Sequence, residues 1–173
     1  MTVVDALKIA ALLFVASIVQ TAILGGIHIR GAAPDLVLVC LVAIALLRGA
    51  VAGALAGFLV GLLLDTAYLA RLGETSFLLT VAGYWIGRYG ETTGRDRSHA
   101  PLLSVAVVTV VYAFGSLALR VVLGDPVDAS TVLGSALVPA ILLNLLLTIP
   151  VYALVRRFLG RPEWPRTEVR LLG

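Results

Sequence analysis

The sequence predicts an all-α integral membrane protein with six transmembrane helices in one bundle. Three observations carry this. The 173 residues are 60% hydrophobic and only 13% charged, where a soluble domain averages about 25% charged. Mean hydropathy is +1.05, and the apolar runs are separated by connections too short to fold as an aqueous domain. The 13 Lys and Arg residues are also unevenly distributed between alternate connections, as the positive-inside rule requires.

The expected spans are 6–27, 34–47, 50–65, 76–89, 101–123 and 131–158, within a domain of residues 1–159; a flexible cytoplasmic tail covers 160–173. The first span is long enough to cross a core of about 30 Å. Its apolar part is too long for a signal peptide, and Gly25-Gly26-Ile27-His28 offers no small-x-small cleavage site. Pro34 suits the opening turn of the second span, with Asp35 beside its positive end. That span holds only twelve apolar residues, Leu36 to Leu47, before Arg48. With the short third span it forms either a tight hairpin turning at Arg48-Gly49-Ala50 or one long broken helix. Thr75 and Ser76 are candidate caps for the fourth span, and Pro101 opens the fifth. The last span follows a turn at 124–128, with Ser130 or Thr131 as its cap, and contains Pro139, Asn144 and Pro150. The two internal prolines predict a kinked helix.

Six crossings with both termini in the cytoplasm put Lys8, Arg48, Arg88, Arg95, Arg97, Arg156, Arg157, Arg161, Arg166 and Arg170 inside, against Arg30, Arg71 and Arg120 outside. A five-crossing arrangement leaves Arg48 near mid-membrane, at about 2.5–3.5 kcal/mol on the gentlest scale. The net charge of +3 is thus read as cytoplasmic helix ends meeting a lipid bilayer, with no nucleic-acid partner.

The third span carries a glycine ladder. Gly49, Gly53, Gly57 and Gly61 recur every four residues, with Arg48 before them and Asp65 closing the run. Positions four apart share a helix face, so the stripe is roughly 18 Å long. In a bilayer, where helices associate by close backbone approach, such a stripe is a packing surface. It serves either a neighbour in the same bundle or another subunit. Gly83 and Gly87 repeat the spacing in the fourth span.

Little in the sequence suggests catalysis. His28 and His99 fall on opposite sides of the bilayer, and no zinc, phosphate-loop or nucleophile-elbow motif occurs. The single cysteine, Cys40, lies in an apolar run, which reads as a buried structural thiol. Ser17, Ser104, Thr109 and Ser116 are expected to bond back to their own helices or across to a neighbour. Asp65 reads as an interfacial carboxylate, or as a partner for Arg71 or another chain. Asn144 and Gln20 read as interhelical hydrogen-bonding groups, with a kinked last span leaving room for a transporter-like cavity. No cofactor or metal is expected.

The order of motifs resembles one family. Pro34-Asp35-Leu36, then Leu47-Arg48-Gly49, the ladder to Gly61-Leu62-Leu63-Leu64-Asp65, Leu72-Gly73, and Gly83-Tyr84-x-x-Gly87-Arg88 are similar to the rod shape-determining MreD family. Asn144 and Pro150-Val151-Tyr152 before Arg156-Arg157 fit it too, while Glu74 departs from the apolar or small residue expected after Leu-Gly. The resemblance implies a non-enzymatic scaffold of the bacterial inner membrane that organises peptidoglycan synthesis during elongation. It implies MreC as partner, the actin-like MreB filament inside the cell, and the RodA glycosyltransferase with its transpeptidase, with self-association an open question. It also implies a fold similar to the substrate-binding component of energy-coupling vitamin transporters. A vitamin-type transporter subunit is therefore the competing function.

Overall fold

The computed structural model describes residues 3–26, 31–94, 99–124, 134 and 136–160. Among them are six α-helices: α1 Val3–Ala22, α2 Leu36–Arg48, α3 Ala50–Ala67, α4 Glu74–Tyr89, α5 Ala100–Val122 and α6 Leu137–Leu159. A 3-10 turn, Leu24–Gly26, follows α1, and a π-helical turn, Gly90–Gly94, follows α4. Four helical stretches among the described residues are long and apolar enough to cross a bilayer: Val3–Gly26, Ala50–Ala67, Ala100–Val122 and Leu137–Leu159. The chain is an integral membrane protein.

The core of the bundle is α2. Every residue from Val37 to Leu47 is buried, because the helix is apolar on all sides and is surrounded on all sides by others. Ile9 and Leu13 of α1, Ala56 and Val60 of α3, Leu79 and Ile86 of α4, Val105 and Val108 of α5, and Val151 and Val155 of α6 join the same cluster. The outer helices turn large apolar side chains outward, Phe14, Leu55, Phe114 and Leu146 among them. That pattern would be an aggregation liability in water and is ordinary against lipid.

The turn between α2 and α3 is a single residue. Gly49 has φ 90°, a left-handed conformation that L side chains rarely adopt. Its N–H still bonds the Ala45 carbonyl at 2.8 Å, while its own carbonyl accepts from Gly53 at 2.9 Å. Two helices thus meet with no loop, and the apolar run from 36 to 64 resolves into the hairpin rather than one broken helix.

Three local expectations need correction or fall elsewhere. Thr75 and Ser76 do not cap α4, which begins a residue earlier at Glu74 with Gly73 at its N-cap; a distant carboxylate supplies the acceptors instead. Pro34 precedes the second helix rather than opening it. Asp35 is the N-cap, its side chain accepting from the Leu38 N–H at 2.9 Å. The proposed caps Ser130 and Thr131, His28, and the basic residues 95–97 lie outside the described residues. Pro150 sits inside α6, which runs unbroken from Leu137 to Leu159.

Candidate functional site

The glycine ladder packs within the chain. A Cβ placed on Gly53 would fall on the Gly83 carbonyl, one on Gly57 on the Leu79 carbonyl, and one on Gly61 on the Ser76 Cα. From the other side, a Cβ on Gly83 would strike the Gly53 carbonyl and one on Gly87 would strike Ala50. Each step of four up α3 therefore meets a step down α4, and the two helices run antiparallel with their backbones in contact. Close Cα-to-carbonyl approach of this kind admits weak Cα–H···O contacts, and here each such contact has a glycine on at least one side. Ser76 adds an ordinary bond, its hydroxyl donating to the Phe58 carbonyl at 2.9 Å.

The same pair is fastened at both ends by carboxylates. Asp65, only 1% exposed, accepts from Gly73 N at 2.8 Å, Thr75 N at 3.2 Å and Ser76 N at 3.5 Å. It is a buried cap on the N-terminus of α4, where orphan N–H groups and the helix dipole both favour negative charge; the interfacial, water-facing reading does not hold. At the other end Glu91 Oε1 accepts from Ala50 N, the first residue of α3, at 2.8 Å, and Glu91 Oε2 meets Arg88 at 3.2 Å. The end of α3 thus caps α4, and the turn after α4 caps α3. Glu74, the departure from the family pattern, lies 3.5 Å from Arg120 of α5.

A second set of polar joints ties α2 to α1 and α6. At its N-terminal end, Gln20 of α1 donates to Asp35 Oδ1 at 3.3 Å and accepts from Leu36 N at 2.7 Å. Asn144 of α6, 2% exposed, accepts from Asp35 N at 2.8 Å and donates to Thr109 of α5 at 3.0 Å. At the other end of α2, one guanidinium nitrogen of Arg48 reaches Asp5 of α1 at 3.0 Å and the Leu159 carbonyl of α6 at 2.6 Å. Of the span hydroxyls, Ser17, Thr109 and Ser116 donate to carbonyls of their own helices. Ser104 does not; its hydroxyl is buried with no hydrogen-bond partner among the described residues.

Sequence reasoning placed weight on Arg48, Asp65 and Asn144 but missed Asp5 and Glu91; it named a partner for Asp65 alone, Arg71, and did not foresee the N–H groups of Gly73, Thr75 and Ser76 that the carboxylate caps. The one available signal was the rarity of acids in so apolar a chain, which makes each carboxylate a candidate for a structural duty.

Of the surface grooves among the described residues, two bear on function. One, about 870 Å³, lies between α1 and α3 on the side of α3 away from α4. Its floor is small and apolar, with Ala6 and Ala10 of α1 and Ala52 and Ala56 of α3, and its walls are Phe14 and Leu59. The other, about 560 Å³, separates the start of α5 from the end of α6 and has Arg156 and Arg157 at its mouth. Among the described residues no cluster of His, Cys, Asp or Glu is placed to hold a metal ion.

The fold and these joints define a class: an all-helical integral membrane protein whose buried polar groups join helix to helix. Within that class, the chain belongs to the family of the rod shape-determining protein MreD, whose model matches residues 2–161. Membership gives it a role in determining rod shape. No curated protein and no solved structure matches the chain.

Proposed function

We propose that this MreD-family protein is a non-catalytic scaffold that crosses the inner membrane six times, with both termini in the cytoplasm. It binds MreC through its helices and helps organise peptidoglycan synthesis with RodA, its transpeptidase and the MreB filament. The α1–α3 groove is the observation that supports this reading. Because α4 occupies the glycine face, the docking surface moves to the opposite side of α3. There the alanine floor lets a third helix approach two backbones at once, as association in lipid requires.

Ala10 is exposed in that groove, so Ala10→Leu fills it without disturbing the core. Co-purification of MreC with this variant is expected to fall at least tenfold while its melting temperature in detergent stays unchanged. Undiminished recovery of MreC would sink the assignment of this surface.

A further inference from the structure

The α5–α6 groove has the polarity of one lipid molecule. Its mouth holds the guanidiniums of Arg156 and Arg157, both exposed. Neither has a carboxylate within ion-pair distance among the described residues. One turn further into the bilayer come the Tyr152 ring and the small Ala153, then the apolar side chain of Ile149, two-thirds exposed. The hydroxyl at the deep end, on Thr148, is already committed, donating to the Asn144 carbonyl at 2.6 Å. From Arg157 to Thr148 the groove descends nine residues of helix, about 13 Å. It runs from two cations, past an aromatic ring suited to the headgroup level, to hydrocarbon.

We infer that this groove binds an anionic glycerophospholipid, its phosphodiester between Arg156 and Arg157 and one acyl chain along Ala153 and Ile149. Charge complementarity selects the headgroup, because a guanidinium offers a fork of donors matched to phosphate oxygens. The apolar descent selects a lipid over a free phosphate, which would have no use for it. In the orientation proposed above, the mouth faces the cytoplasmic leaflet, where anionic lipids attract basic helix ends. The chemistry of the groove does not depend on that orientation or on MreC.

The test is native mass spectrometry of the full chain in detergent, titrated with dioleoyl phosphatidylglycerol, dioleoyl phosphatidylcholine or glycerol 3-phosphate. Phosphatidylglycerol is expected to give a one-to-one adduct at least tenfold tighter than phosphatidylcholine, with no competition from glycerol 3-phosphate. Arg156→Gln with Arg157→Gln is expected to abolish that preference. Ala153→Leu, at an exposed position and with charge unchanged, is expected to weaken the adduct by blocking the acyl path. Equal retention of both lipids, or an undiminished adduct in either variant, would overturn the site. Displacement by glycerol 3-phosphate would also overturn it, in favour of a site for free phosphate.

Discussion

Gly53 and Gly83 each present a Cα to the carbonyl oxygen of the other, across the α3–α4 crossing. A methyl on either would meet backbone, which cannot rotate aside as a side chain does. Gly57→Leu is therefore expected to destabilise the protein by about 3 kcal/mol, the upper part of the range for overpacking. Gly26, where an added Cβ meets nothing within 4 Å, is the control: Gly26→Ala should stay within about 0.5 kcal/mol of wild type. Reversible unfolding in mixed detergent separates these outcomes. A stable Gly57→Leu would mean that the two helices do not touch here.

Capping by Asp65 predicts a graded response. Asp65→Ala leaves the N–H groups of Gly73, Thr75 and Ser76 without their acceptor and should remove about 1–3 kcal/mol, as for buried groups left unsatisfied. Asp65→Asn keeps one acceptor and should lose about 1 kcal/mol. Hydrogen exchange at the first turn of α4 is the local readout, and it should accelerate in both variants. Equal, unaltered exchange in the two would contradict the cap.

Asn144 bridges α2 and α5, so Asn144→Leu removes an acceptor from Asp35 N and a donor to Thr109. Interhelical hydrogen bonds in membranes average about 0.6 kcal/mol, with maxima near 1.7. The loss here is expected at about 1–2 kcal/mol, because two partners are stranded. A double substitution with Thr109→Val should cost less than the sum of the single ones, since the Thr109 side of the joint is lost in both. Strict additivity would show that the two residues are not coupled.

Arg48 and Asp5 are each partly open to solvent, 15% and 20% by side chain, so their pairing is weakened by screening. A double-mutant cycle of Arg48→Gln and Asp5→Asn should give a coupling of about 0.5–1 kcal/mol that shrinks in high salt. Arg48→Gln alone should lose more than Asp5→Asn, because it also abandons the Leu159 carbonyl. A salt-independent coupling, or none, would remove the ion pair from the account.

Orientation has its own measurement. A cysteine replacing Ser98 should resist membrane-impermeant maleimide in intact cells and react once the inner membrane is opened. The native Cys40 is buried and should give little background. Labelling from outside intact cells would invert the proposed topology.

The helices were largely legible because an apolar run and the polar turn that ends it are both local features of the sequence. The ladder was legible as well, through Gly53, Gly57 and Gly61, together with its echo at Gly83 and Gly87. What the ladder touches was not, since spacing identifies a face and never its occupant. The joints were hidden for a related reason. Glu91 caps a helix that begins 41 residues before it, and Arg48 meets an aspartate 43 residues away. No window of sequence holds both partners. Local rules even misled at Thr75 and Ser76, where good capping residues lost to Asp65, already buried against the same turn.

The tie points on α1, α2 and α6 have a further consequence. Asp5 and Gln20 are 15 residues apart on α1, Asn144 and Leu159 are 15 apart on α6, and both pairs grip the two ends of α2. Three rods pinned at two levels, separated by about 20 Å of helix, make a frame of fixed height. A thicker or thinner bilayer can stretch the outer ends of α1 and α6 or tilt the whole assembly, but it cannot change the distance between the pins. The protein carries its own gauge of length into whatever membrane surrounds it.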